Sequence, residues 1–246
     1  TSAINLAIMT QAPTLVSETQ RITRAPSNST VALTPLTPAK VDQAIYSTDA
    51  IQHPLWAKNG MVASQEALAS DIGLQILKDG GNAVDAAVAV GFALAVTLPR
   101  AGNIGGGGFM MVYDAKQDKT IALDYREKAP SSATRDMYLD KEGNAVSDLS
   151  RYHGLAVGVP GTVAGLLKAL EDHGTMSRGQ VMAPAISLAE NGIEVTAGLS
   201  ESLEALKDRM QKWPSTSKIF FKADGSTYQP GERLRQPELA QSLKLI

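Results

Sequence analysis

Apolar and polar positions along the chain change rhythm several times, and each change marks an element. Residues 1 to about 45 have neither a helical nor a strand period. Thr, Ser, Pro and Ala dominate there, as in LTPLTPAK (33–40), which predicts a flexible or loosely packed leader. From residue 60 the pattern tightens, and GMVAS (60–64) reads as a short strand. Ser64 then reads as a helix cap, with Glu66 in the first turn and Gly80-Gly81 as the stop. Asn82 and Asp85 resemble a capping box that opens a helix running to about Val96. That helix is so rich in alanine that a neighbour can pack very close to it, and Pro99 ends it. FMMVY (109–113) and TIALDYR (120–126), joined by the polar DAKQD, read as a hairpin.

Farther on, GLAVGVP (154–160) is strand-like, and TVAGLLKALEDHG (162–174) has the apolar spacing of an amphipathic helix. Ser177 and Gln180 form a second capping box, opening a helix that runs to Asn191-Gly192. Leu199, Leu203 and Leu206 share one face of a further helix over 197–212. FKADGSTYQPGERL (221–234) is hairpin-like, and Gln236-Pro237-Glu238 starts a last helix with Pro at its favoured first position. That helix meets no stop signal before Ile246, so the chain reads as a piece of something longer. Mixed helices and strands predict a layered α/β or α+β domain.

Composition narrows the function classes. Apolar residues make up 43% of the 246 and charged residues 20%, which suits a packed globular domain. The net charge is -2, from 23 basic and 25 acidic residues, and no basic block stands out, which argues against a nucleic-acid surface. No apolar run approaches the roughly eighteen residues of a membrane span. With no cysteine, the chain has no disulfide, thiol nucleophile or thiolate metal site. It opens on Thr1 and not Met, a processed or chosen start, and INLAIM (4–9) is too short for an intact signal-peptide core.

The chemistry-bearing residues are few. Gly105 to Gly108 invite a phosphate-loop reading, yet the order here is helix, glycines, strand, whereas phosphate cradles run strand, glycines, helix. Close backbone approach or positive φ is the alternative use of such a run. His53, His153 and His173 are far apart, with no metal-ligand spacing, and no G-x-S-x-G elbow is present. Thr1 could act as an amine-activated nucleophile in principle, but it begins a loose polar leader and is read as inert. Arg126, between Asp124 and Glu127 at the end of a predicted strand, supports two readings. It is part of a surface charge cluster, or its planar fork grips a carboxylate with two parallel hydrogen bonds.

MVAS (61–64), ILKDGGNAVDAAVAVGFALAVTLPRAGNIGGGGFM (76–110), DYREKAP (124–130) and GVPGTVAG (158–165) occur together and in order. This series closely resembles the N-terminal part of the large subunit of γ-glutamyltransferases (γ-glutamyltranspeptidases), from about residue 46 to the end. The resemblance implies an α+β, N-terminal-nucleophile hydrolase fold, an αββα layered sandwich that is incomplete in this chain. It further implies a precursor that cleaves itself into two subunits. The threonine so exposed on the small subunit attacks the γ-glutamyl amide of glutathione and related compounds. The acyl group then passes to water, an amino acid or a peptide.

In this family the arginine of the D-[FY]-R-E motif binds the α-carboxylate of the γ-glutamyl group, a role that falls on Arg126. No catalytic residue, metal ligand or cofactor is expected within residues 1–246, and the implied compartment is periplasmic or extracellular. The implied partners are a γ-glutamyl compound such as glutathione and the small subunit from the same precursor. Two other readings are open: a cephalosporin or glutaryl acylase of the same superfamily, or a non-catalytic binding module with the half-fold.

Overall fold

The computed structural model describes residues 7–9 and 56–246. By its internal contacts the chain divides into one unit of residues 1–10 with 60–246 and another of residues 11–59. Only residues 56–59 of the second unit are described, so most of the predicted leader, Thr1 included, lies outside the described residues, as does His53.

The described part mixes helices with short strands. Strand β1 (Ala7–Met9) pairs antiparallel with β2 (Met61–Ala63). Helices α1 (Ala67–Lys78) and α2 (Ala83–Thr97) follow, then the hairpin of β3 (Phe109–Asp114) and β4 (Lys119–Asp124). Next come α3 (Ser147–Arg151), a 3-10 turn at Gly154–Ala156, α4 (Thr162–His173) and α5 (Arg178–Asn191). Strand β5 (Ile193–Glu194), α6 (Ala197–Met210), α7 (Pro214–Phe220), β6 (Arg233–Leu234) and α8 (Pro237–Leu245) complete it.

Helix α2 is the centre of the core. Every residue from Val84 to Thr97 is buried except Gly91, because its small side chains let α1, α4 and α5 close around it. A Cβ on Gly73 of α1 would sit 2.6 Å from the Val90 methyl, which measures how close that approach is. Phe92, Val88 and Val96 meet Leu166, Val181 and Ala185 in one cluster that also takes Leu234 and Leu243 from the chain's last elements.

Both predicted capping boxes form, and the first does more than cap. Asn82 Oδ1 accepts from the Val84 and Asp85 N–H groups, while its amide donates to the His173 carbonyl at 2.7 Å. The Asp85 carboxylate is fully buried and accepts four bonds: from the N–H groups of Asn82, Thr175 and Met176, and from the Thr175 hydroxyl at 2.6 Å. These two side chains, three residues apart, thus tie the start of α2 to the α4–α5 junction. At the other end of α2, the buried Gln236 amide donates to the Val96 carbonyl at 2.9 Å, meeting one of the acceptors a helix C-terminus leaves open.

Three sequence expectations are corrected. Ser64 does not cap α1: its hydroxyl accepts from the Glu66 N–H in a local turn, so the helix starts at Ala67 with Glu66 as N-cap. GLAVGVP is not a strand, because His153 Nδ1 accepts the Leu155 N–H and winds 154–156 into a 3-10 turn; only Val159 makes a β-bridge, to Lys128. FKADGSTYQPGERL closes only as a tight turn with a Phe221–Thr227 bridge. Its far end, β6, pairs with β5 instead, which buries Leu234 and Ile193 in the core.

The hairpin is apolar on both faces. Met110, Val112 and Leu123 pack on the helical core, while Phe109, Met111 and Tyr113 point outward at 62–68% exposure.

Burial raises the Asp85 carboxyl, but the bonds from Thr175, Met176 and Asn82 outweigh it and hold the group below the ordinary carboxylate value. The folded state therefore binds its proton later than the unfolded chain as pH falls, so this stability is full above the ordinary value of about 3.9 and is lost below it. Asp85→Ala strands buried donors and is expected to destabilise by about 3 kcal/mol or more. Urea melts between neutral and acid pH should show this loss at neutral pH and a flatter acid slope in the variant.

Candidate functional site

The site is built where the glycine loop, the end of β4 and the start of α4 meet. Beyond β4 the pairing continues for one residue: Tyr125 N–H donates to the Gly108 carbonyl at 3.1 Å. Three residues on, Lys128 and Val159 exchange a pair of backbone bonds, at 3.2 and 2.7 Å. The segment 125–128 is therefore held at both ends by main chain. Arg126 sits between these anchors, its own N–H donating to Asp124 Oδ1 at 3.0 Å.

Helix α4 starts against the same loop. Its N-cap is Gly161, which has no capping side chain, and the Gly106 carbonyl does that work. It accepts from the N–H groups of Gly161 at 2.7 Å and Thr162 at 3.0 Å. Asn103 locks this joint, since its Oδ1 accepts from Gly106 N–H at 2.7 Å and from the Thr162 hydroxyl at 3.0 Å. A helix N-terminus does face the glycine loop, then, but its Gly161 and Thr162 donors are occupied by a carbonyl of that loop.

Sterics explain the glycines. A Cβ on Gly107 would lie 2.4 Å from the Glu127 nitrogen, and one on Gly161 would lie 1.9 Å from the Tyr125 carbonyl oxygen. Close approach, and not positive φ, is what Gly106 to Gly108 supply, whereas a Cβ on Gly105 would meet nothing within 4 Å. Tyr125 fills the space so made: its ring packs on Gly165, its hydroxyl donates to the Phe109 carbonyl, and burial pushes its phenol above the ordinary value.

Against this fixed backbone the Arg126 side chain is free. It is 55% exposed, and its one ionic neighbour among the described residues is Glu127 Oε1, at 4.0 Å from Nε. That distance is too long for a hydrogen bond. Neither flanking carboxylate holds the guanidinium by a hydrogen bond: Asp124 Oδ1 accepts from the backbone, and Glu127 only borders the fork. Of the other sequence candidates, His153 caps the 3-10 turn and His173 ends α4; they are not brought together with Arg126.

The motif series of residues 76–165 thus folds into a single joint. The gamma-glutamyltranspeptidase family profile matches residues 69–246. The chain belongs to that family. It is 50% identical over 197 residues to the glutathione hydrolase proenzyme of Pseudomonas sp. (strain A14), covering 80% of this chain and 34% of that protein. It spans, in other words, about a third of this relative's length. The crystal structure of Helicobacter pylori gamma-glutamyltranspeptidase superposes with a TM-score of 0.76 at 48% identity, over 78% of this chain and 55% of that one. Cephalosporin acylase from Bacillus halodurans superposes at 0.71 with 30% identity, over 85% and 39%.

Asn103 and Thr162, which hold the joint, escape a residue-by-residue search because neither carries reactive chemistry; their signal is their place inside the motifs AGNIGGGGFM and GVPGTVAG. Gly161→Ala drives a methyl into the Tyr125 carbonyl and is expected to destabilise by about 1–3 kcal/mol, or more if the loop cannot shift. Denaturant unfolding checks this, with Gly198→Ala, whose Cβ meets nothing within 4 Å, as the control that should change little.

Proposed function

We propose that this chain is part of a self-processing γ-glutamyl acyl-transfer enzyme and supplies the arginine that holds the substrate's α-carboxylate. The observation that carries the reading is Arg126: an uncommitted guanidinium on a backbone pinned at both ends. A γ-glutamyl group has a charged α-carboxylate remote from its scissile amide. A planar fork can take that carboxylate with two parallel, charge-assisted hydrogen bonds. Because the fork gives up only water to do so, none of the protein's own bonds is broken. Because Tyr125 and Lys128 fix its base, the grip also orients the distant amide carbonyl for attack. Glu127, at the edge of the fork, is positioned by charge to receive the substrate's α-ammonium.

The attacking threonine and the donors for the developing oxyanion belong to the other two-thirds of the relatives' length. Processing of a precursor exposes that threonine, in keeping with the relative's name as a proenzyme. Glutathione and similar γ-glutamyl compounds are the donors, and water, amino acids or peptides the acceptors, with no cofactor. The outward face of Phe109, Met111 and Tyr113 suits the packing of a second sheet, which would complete an αββα sandwich. Residues 1–45 serve as a leader and 46–246 as the first part of the large subunit. No helix among the described residues is long and apolar enough to cross a membrane, and the enzyme works in the periplasm or outside the cell.

The likeness to cephalosporin acylase supports a second reading, since a glutaryl group presents the same remote carboxylate without the ammonium. Turnover of γ-glutamyl against glutaryl anilides separates the two. Each charged hydrogen bond contributes about 1.5–3 kcal/mol, and about 1.4 kcal/mol is tenfold. Arg126→Ala is therefore expected to raise KM for a γ-glutamyl anilide about ten- to a hundredfold or more. An unchanged KM would remove the role given to Arg126.

A further inference from the structure

A cavity of about 360 Å³ lies between two stretches far apart in sequence, and it shares no residue with the surroundings of Arg126. Asp148 of α3 and Tyr152 just after it form one wall; Asp208 and Arg209 of α6, with Lys212 and Trp213 beyond it, form the other. The volume falls in the range of about 300–1,000 Å³ usual for small-molecule sites. The two walls are joined by one built contact. The Arg209 guanidinium lies 4.7 Å above the Tyr152 ring centre and donates to its hydroxyl at 3.2 Å, which sets the aromatic face in place.

The other groups are uncommitted. Among the described residues, the side chains of Asp148, Asp208, Lys212 and Trp213 make no hydrogen bond or ion pair, although all four line the cavity. Tyr152 and Trp213 stay 43% and 45% exposed. Two carboxylates, two cations and the rings of Tyr152 and Trp213 thus converge on one concavity without neutralising one another, beside the His153 imidazole, whose Nδ1 accepts the Leu155 N–H. A ligand of a single charge would meet as many like charges there as opposite ones. A ligand bearing both charges beside an apolar group meets all three features at once.

We infer that this cavity binds a free α-amino acid or short peptide, as the zwitterion, with an aromatic or large apolar side chain. Its ammonium faces Asp148 and Asp208, its carboxylate faces Arg209 and Lys212, and its side chain lies on Tyr152 and Trp213. The inference goes beyond the γ-glutamyl reading, and its test reads binding and not turnover, so either can fail alone.

Trp213 is one of two tryptophans in the chain, so with Trp56→Phe as background a ligand-dependent change in emission is assigned to the site if it disappears in Trp213→Phe. The purified protein is titrated with L-phenylalanine, phenethylamine and 3-phenylpropionate, with circular dichroism confirming the fold of every variant. L-Phenylalanine should give a saturable change, and the two single-charge analogues should bind about tenfold more weakly or worse, as expected for loss of one charged contact. Asp208→Asn should weaken L-phenylalanine but not 3-phenylpropionate, and Lys212→Met should weaken it but not phenethylamine. Asp148→Asn replaces the first variant if that one misfolds. No saturable change with L-phenylalanine, equal affinity for all three ligands, or variants that bind like the parent would each overturn the proposal.

Discussion

The carbonyl of Gly106 is the contact on which the candidate site depends. It takes the N–H groups of Gly161, the N-cap of α4, and of Thr162, its first residue, and so seats the glycine loop on the start of that helix. That seating brings Gly107 and Gly161 against the main chain of Tyr125 to Glu127, at separations no side chain could share. Residues 125–128 are then gripped by backbone alone, through Gly108 at one end and Val159 at the other. Rigidity has been supplied without using a single donor of the Arg126 guanidinium. This division of labour, main chain for position and side chain for the ligand, is what a carboxylate-binding arginine needs.

The joint is rigid because its foundations are. The loop leaves α2 just after Thr97, and α2 is buried almost all round, with its first turn tied by Asn82 and Asp85 to the α4–α5 junction. Gln236 closes the other end of α2 from a segment 140 residues away. Helix α4, which takes the loop's carbonyl, packs on the same α2 through Leu166 and Ala169. Loop and helix therefore move, if at all, as parts of one core, and a 1 Å shift at Arg126 would require that core to repack.

Local signals made most of this legible. Asn82 with Asp85, Ser177 with Gln180, Pro99, and Pro237 at a first helical position each act through their nearest neighbours, so sequence alone reads them. What escaped was decided at a distance. Nothing near Arg233 and Leu234 says that they pair with Ile193 and Glu194 rather than closing their own hairpin; burial of Leu234 in the α2 core decides it. Ser64 and His153 carry cap-competent side chains, and a turn two residues away claimed each of them. At the site, Arg126 was visible from its motif. That Asp124 serves the backbone and not the guanidinium depends on a strand end that only the fold supplies.

The most direct test of the central claim is a cycle that removes each half of the supposed contact. kcat/KM would be measured for wild type and Arg126→Ala on a γ-glutamyl anilide and on its 4-aminobutyryl counterpart, which lacks the α-carboxylate. If Arg126 holds that carboxylate, wild type favours the γ-glutamyl substrate by about tenfold or more and the variant loses the preference. A preference that survives intact in Arg126→Ala would show that the carboxylate is held elsewhere, and the account of this site would fall.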